Sequence, residues 1–383
     1  MATHAQPATT LAGTHGKGAG GGTLNRLERL REILAERDLL AWFSTSPPDN
    51  QYLTGFLTSL HEVSAALLIT ADAAIFLTDS RYTEQAQEQV AEFEVEQMSG
   101  DLLTRAGERM RQLGVTRTGF DPAAVSVADL QRFREAFAGE CEGVLDVVND
   151  MRIQKSAGEI ETVRAASNLA ESVLADIPAW LEPGLTERDL AARIEYEMKR
   201  RGATAGAFDT IALFGARSSL PHGEPGDRAL KKGDVVLLDF GCRRNGYCSD
   251  LTRTYAFGSI PGSWFEEVYG VVLTAQLKAL EAVAPGRPCR EVDAIARDHI
   301  KACGFGERFG HALGHGVGIE IHEAPRVNPR SDAILQEGMI ITLEPGVYVP
   351  GKGGVRIEDL VAVTATGCDV LTASSKALKV ISS

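Results

Sequence analysis

Residues 234–257 read DVVLLDFGCRRNGYCSDLTRTYAF. Val235 to Leu238 is an apolar, branched run of the kind that forms a buried strand. Asn245-Gly246 is a favoured two-residue hairpin turn, because both turn positions need a positive φ. With that turn setting the register, Arg244 faces Tyr247 and Gly241 faces Asp250. Asp239 then lies two residues along, on the same sheet face as Asp250. Diagonal neighbours of this kind sit about 7–8 Å apart at Cα, so their side chains can converge. Two converging carboxylates at the end of an apolar strand repel each other, and something positive has to compensate them.

Residues 339–363, MIITLEPGVYVPGKGGVRIEDLVAV, repeat the pattern. With Pro350 to Gly354 as the turn, Val349 faces Val355, Val347 faces Ile357 and Gly346 faces Glu358. Glu344 becomes the diagonal neighbour of Glu358. A slip of one residue would undo this reading. One such acid is ordinarily a solvated strand-end charge. Two matched pairs beside apolar strands point instead to divalent cations. Oxygen ligands suit Mn²⁺ and Mg²⁺, and an added imidazole shifts the choice toward Mn²⁺, Co²⁺, Fe²⁺ or Zn²⁺. Residues 309–323, FGHALGHGVGIEIHE, supply imidazoles. His311 and His315 have helical i, i+4 spacing, but the glycines at 310, 314, 316 and 318 argue against a helix. The stretch reads as a Gly-dense loop whose backbone can approach a ligand closely. His222 lies in a turn shortly before the first acid strand. His4, His15, His61 and His299 read as solvated or structurally satisfied rings.

Outward from these stretches, the pattern predicts four helices. The first opens on a Ser156–Glu159 capping box and the second on a Thr186 cap. The third starts at Ser263 with Glu266 as box partner, and the fourth spans about Arg290 to Cys303. A helix pair followed by acid-bearing strands occurs twice. Before Asp150 the chain alternates strand and helix, as a compact α/β domain does. Leu27, Leu30, Ile33 and Leu34 share a helical face, and Leu39 to Ser44 reads as a strand followed by a Ser-Pro-Pro-Asp loop. Ala65–Thr70 and Ala74–Thr78 form a hairpin, and a helix covers about Tyr82 to Glu92. Residues 1–23 read as a disordered leader, 24–150 as the α/β domain and 151–383 as the catalytic domain.

The chain has 383 residues and a net charge of -13. That acidity disfavours nucleic acid and anionic membranes as partners. Six cysteines without a CxxC pair read as reduced thiols, and no apolar run is long enough to span a bilayer. A cytoplasmic location is expected.

Several motifs together resemble one family. They are Ser219-Leu-Pro-His-Gly, Leu238-Asp-Phe-Gly, Tyr247-Cys-Ser-Asp-Leu-Thr-Arg-Thr, Gly314-His-Gly-Val-Gly, Ile321-His-Glu-Ala-Pro, Thr342-Leu-Glu-Pro-Gly and Val355-Arg-Ile-Glu-Asp. They look like the pita-bread metallopeptidases, which include methionine aminopeptidase, aminopeptidase P and prolidase, with creatinase as a metal-free relative. Tyr52-Leu-Thr-Gly-Phe and Asp79-Ser-Arg-Tyr extend the likeness to the first domain, as in the aminopeptidase P and prolidase branch. The resemblance implies a creatinase-like α/β domain followed by an α+β pita-bread catalytic domain. It implies five ligands to two divalent ions: Asp239, Asp250, His315, Glu344 and Glu358. Mn²⁺ is the expected metal, with Co²⁺ or Zn²⁺ as alternatives.

It further implies hydrolysis by a metal-bridging hydroxide, with Glu344 carrying the proton. His222 and His322 would donate hydrogen bonds to the oxyanion or hold the substrate, and Arg356 would orient a ligand carboxylate. His311 would line the substrate side, and Arg326 would match the arginine that prolidases place on the substrate carboxylate. The leading expectation is an aminopeptidase that cleaves Xaa-Pro bonds of short peptides, and the alternative is a prolidase restricted to dipeptides. An inactive binding module or a creatinase-type hydrolase is disfavoured by the intact ligand set. A homodimer is expected. Phe214 stands where the family is usually smaller, either intruding on the pocket for the first residue or packing in the core.

Overall fold

The computed structural model describes residues 20–60 and 63–382. Most of the expected leader, with His4 and His15, lies outside the described residues, as does His61. The chain divides into two compact units, one ending at Leu145 and the other beginning at Asp146.

In the first unit, helix α1 (Gly20–Glu36) begins ahead of Leu24 and buries Leu27, Leu30 and Leu34, while Ile33 is half-buried. Strand β1 (Ala41–Ser44) follows. The Ser-Pro-Pro-Asp stretch is not a loop; it opens helix α2 (Pro47–Thr54). Ser46 Oγ accepts the Asp49 N–H at 3.3 Å. Pro47 takes the first helical position, where a missing amide costs nothing. β2 (Ala65–Thr70) and β3 (Ala74–Thr78) form the expected antiparallel hairpin. Helix α3 (Thr83–Gln89) stops short because Val90 is extended. β4 (Glu94–Gln97), α4 (Leu102–Gln112), β5 (Arg117–Phe120), α5 (Val127–Phe137) and β6 (Glu140–Gly143) complete a mixed sheet of order β4-β3-β2-β1-β5-β6. Phe43, Leu68 and Leu77 of the sheet pack with Met110 of α4 and with Phe133 and Phe137 of α5.

The second unit starts with α6 (Val147–Ile153), α7 (Ala157–Asp176) and α8 (Glu187–Arg200). The Ser156–Glu159 capping box at α7 is present, and Thr186 caps α8. Strands β7 (Ala205–Gly206), β8 (Ile211–Phe214), β9 (Val235–Phe240), β10 (Cys242–Arg244), β11 (Tyr247–Cys248) and β12 (Leu251–Phe257) come next. Then α9 (Ser263–Ala282) and α10 (Cys289–Ala302) repeat the helix pair. Gly262, not Ser263, is the N-cap of α9, and no side chain caps it, so the expected Ser263–Glu266 box does not form.

Strands β13 (Gly314–Gly316), β14 (Glu323–Val327), β15 (Ile340–Leu343), β16 (Gly346–Val349), β17 (Gly353–Arg356), β18 (Asp359–Val363), β19 (Cys368–Val370) and β20 (Val380–Ile381) follow. One sheet runs β20-β12-β9-β8 and a second β14-β13-β15-β18-β19. Leu190 and Ile194 of α8 pack with Val236, Leu238 and Phe240 of the first sheet. Val272 of α9 and Val292 of α10 pack with Ile341, Leu343 and Val361 of the second. Each sheet thus buries one face under its own helix pair, and the free faces and strand ends are left for chemistry. Phe214 is fully buried among Ala212, Val236 and Leu238, so it packs in the core.

β13 runs so close to β15 that a Cβ on Gly314 would lie 1.9 Å from the Thr342 carbonyl oxygen. Gly314→Ala is expected to destabilise the metal-free protein by about 1–3 kcal/mol through overpacking. Urea denaturation checks this, and an unchanged midpoint would contradict it.

Candidate metal centre

Asp239 is the fifth residue of β9, and Thr252 of β12 stands directly opposite it. The Arg244–Tyr247 pairing expected from Asn245-Gly246 is present, and the ladder keeps that register through Phe240–Leu251. Asp250, just before β12, is therefore the diagonal neighbour of Asp239. The second hairpin differs from expectation. Val349 faces Gly353 and Val347 faces Val355, a shift of two residues. Gly353 and Gly354 belong to the ladder because the neighbouring backbone leaves no room for a side chain there. A Cβ on Gly354 would lie 2.4 Å from the Ser218 carbonyl oxygen. The turn shortens to Pro350–Lys352, and Glu344 stands opposite Glu358, between the Leu343–Asp359 and Gly346–Arg356 pairs. An even shift keeps every side chain on its face. The acids still converge.

Asp239, Asp250 and Glu358 each present an oxygen within 4.8 Å of the other two. His315, at the centre of β13, brings Nε2 to 3.6 Å from Asp250 Oδ2 and 3.6 Å from Glu344 Oε1. Its Nδ1 lies 3.0 Å from the Gly316 carbonyl. A carbonyl only accepts, so Nδ1 carries the hydrogen and Nε2 keeps its lone pair toward the acids. Burial lowers the His315 pKa to about 4, which keeps the ring neutral. Burial and then the neighbouring Glu358, Asp239 and Glu344 hold Asp250 well above the carboxylate range. Glu358 is raised by burial, Glu344 and Asp239, and Glu344 reaches about 8, chiefly through burial.

Two contacts lock the cluster. Thr252 Oγ1 donates to Glu358 Oε2 at 2.7 Å, linking the first hairpin to the second. Arg356, itself buried, donates from Nη2 to Asp239 Oδ2 at 2.5 Å. Its Nη1 donates to the Tyr348 hydroxyl at 2.7 Å, and that hydroxyl meets His311 Nε2 at 3.0 Å. Asp239 Oδ1 is buried and accepts no hydrogen bond from any of the described residues. Such an orphaned acceptor is costly unless a cation completes it. Four carboxylates, one neutral imidazole and one compensating guanidinium leave a donor set that fits divalent cations.

The cluster opens into a cavity of about 340 Å³, lined also by His222, His322, Phe208, Ile211, Pro225 and Ile321. His311, expected on the substrate side, does not line it. Its Nδ1–H donates to the Ala312 carbonyl at 2.8 Å and its other nitrogen is taken by Tyr348, so the ring supports the wall from behind. Arg326 faces His315 across β13 and β14, is exposed, and has no hydrogen-bond or ion-pair partner among the described residues. Sequence reasoning missed Thr252 and Tyr348, and also the Asp293–Arg297 pair. Arg297 donates to the carbonyls of Phe309 and His311 while holding Asp293. The i, i+4 acid–base spacing on α10 was the available signal.

The sequence pattern of metallopeptidase family M24 matches residues 161–365, and that of the creatinase/prolidase N-terminal domain matches residues 26–154. This chain belongs to metallopeptidase family M24. Its architecture is accordingly a creatinase N-terminal domain followed by an M24 pita-bread catalytic domain. It is similar to the Xaa-Pro dipeptidase of Pyrococcus furiosus, with 38% identity over 92% of this chain and 99% of that one. Among solved structures it is similar to an Xaa-Pro dipeptidase from Bacillus anthracis, at 37% identity and a TM-score of 0.90, covering 94% of this chain and 99% of that one. An X-Pro aminopeptidase from Thermotoga maritima superposes at a TM-score of 0.86 with 35% identity, covering 93% of this chain and all of that one. Among the described residues no helix is long and apolar enough to cross a membrane, and all six cysteines are free.

The raised carboxyl groups hold protons that cations must displace. Mn²⁺ binding to the metal-free protein is therefore expected to release protons and to tighten from about pH 6 to about pH 8. Titration calorimetry in buffers of different ionisation heat checks this; affinity that ignores pH would contradict it.

Proposed function

We propose that this M24 metallopeptidase is an Xaa-Pro dipeptidase, which hydrolyses the bond between a first residue and a following proline. The observation that carries the reading is the convergence of Asp239, Asp250, His315, Glu344 and Glu358 at the floor of one cavity. The cavity volume lies at the small end of ligand sites, about 300–1,000 Å³, which suits a dipeptide. Relatives named Xaa-Pro dipeptidases cover almost the whole chain. They favour this reading over the aminopeptidase that the motifs alone put first.

Two divalent ions, Mn²⁺ by preference with Co²⁺ or Zn²⁺ as alternatives, would supply a hydrolytic water of lowered pKa and polarise the scissile carbonyl. Asp239, Asp250, His315, Glu344 and Glu358 would hold them. Glu344 takes the proton of the attacking water and passes it to the proline nitrogen, which leaves poorly until protonated. Its place beside His315 and Thr342 keeps one oxygen directed at the centre. His222 and His322, both facing the cavity, donate to the developing oxyanion. Arg356 fixes the Asp239 carboxylate. Arg326, exposed on β14 opposite His315 and without a hydrogen-bond or ion-pair partner among the described residues, pairs with the free carboxylate of the dipeptide. Six free thiols support a reducing compartment such as the cytoplasm. Aminopeptidase action on longer Xaa-Pro peptides is the second reading, favoured by the Thermotoga structure.

Metal-loaded protein is expected to cleave Ala-Pro and to leave Ala-Pro-Ala-Ala largely intact. Equal or faster release of alanine from the longer peptide, followed by mass spectrometry, would decide for the aminopeptidase. Glu344→Gln is expected to lower kcat by about 10²–10⁴-fold, the usual share of general acid–base catalysis. Steady-state kinetics at saturating metal measures it.

A further inference from the structure

We infer that Glu323, clamped between Lys155 and Arg152, is a positioning residue that holds His322 against the metal cavity. The inference rests on the peptidase reading, in which His322 meets the substrate. His322 itself is exposed, and no hydrogen bond among the described residues fixes its ring. The ring lies edge-on to His315, with centroids 4.4 Å apart. A second cavity of about 120 Å³ is lined by Asn149, Arg152, Glu320 and Glu323. His322 lines both cavities, so the ring has space to leave the first for the second.

What opposes that motion is the neighbouring residue. His322 stands in the bend just before β14, and Glu323 opens the strand with its side chain turned inward while His322 faces the cleft. The Glu323 side chain is 6% exposed and its carboxylate meets three donors. Lys155 Nζ donates to Oε2 at 2.8 Å, Arg152 Nη2 donates to Oε1, and the Glu320 N–H donates to Oε1 at 3.1 Å. Lys155 and Arg152 are anchored in turn. The Lys155 N–H donates to the Gly338 carbonyl, and Arg152 reaches Asn149 and Glu320. Gly318 makes room for the clamp, since a Cβ there would lie 2.4 Å from Glu323 Oε2.

The backbone register agrees. His315 faces Arg326 but Gly316 faces Glu323, so the β14 side carries two extra residues at this point. That irregularity sets the segment bearing His322 beside His315. A buried ion network adds little stability compared with apolar packing, but it fixes a direction. Here the direction is that of residues 320–323.

The test is a double-mutant cycle of Glu323→Gln and His322→Ala on the metal-loaded full chain. Glu323→Gln alone is expected to lower kcat for Ala-Pro by about 10–100-fold, as loss of an outer partner does, with KM little changed. In the His322→Ala background the same change is expected to cost less than about twofold. Multiplying effects would overturn the inference. Amide hydrogen exchange gives a readout free of activity: Glu323→Gln is expected to speed exchange at residues 319–323 while the α9 and α10 amides stay protected. Unchanged exchange there overturns the clamp even if wild-type protein cleaves no Xaa-Pro substrate. Failure of the Xaa-Pro assay with faster exchange would sink the substrate reading alone. Should Glu323→Gln not fold, Lys155→Met, which removes one donor, is read by the same two measurements.

Discussion

Four carboxylates that repel one another are held within one buried pocket, and most of the catalytic unit can be understood as the apparatus that holds them. Burial alone would push these groups toward their neutral forms. One guanidinium, Arg356 on Asp239, and two hydroxyls, Thr252 on Glu358 and Thr342 on Glu344, are the direct restraints. Behind them stand two apolar sheets, each under its own pair of helices, which fix the strand ends from which the acids project. The repulsion is tolerable because it is what a divalent cation relieves. Asp239 Oδ1, buried without a donor among the described residues, makes the same point on the scale of a single atom.

The fold was readable where local chemistry is strict. Asn245-Gly246 leaves few choices of turn, and the register it implies extends unbroken to Asp239 opposite Thr252. The Ser156 and Thr186 caps were equally legible, because an N-terminal helix turn needs an acceptor for its free amides. Reading failed where glycines or prolines have two uses. Gly353 and Gly354 look like turn residues, yet they lie in the strand because Ser218 sits against them. Pro47 and Pro48 look like a loop, yet proline suits the first helical turn as well. In both cases the deciding neighbour is distant in sequence.

The five ligand positions were legible because cation chemistry demands acids and an imidazole in a matched pattern. Their supports were not. Tyr348 alternates with Val347 and Val349 as any strand aromatic does, and nothing local shows that its hydroxyl joins Arg356 to His311. His311 carries the same i, i+4 relation to His315 that suggested a shared role. Its hydrogen bonds point it away from the cavity. Supporting contacts of this kind depend on which strands meet, and a strand pairing between residues far apart leaves little trace in either stretch alone.

The single guanidinium inside the acid cluster has a consequence for the field in the cleft. Without cations the raised carboxyl groups of Asp250, Glu344 and Glu358 keep their protons and Asp239 is paired with Arg356, so the pocket is close to neutral in a chain whose net charge is -13. Two divalent ions would more than cancel the four carboxylates once Arg356 is included, leaving the same pocket net positive. Loading would therefore give the pocket a positive potential that it lacks without the ions. Anions would be drawn into the pocket only when both ions are seated.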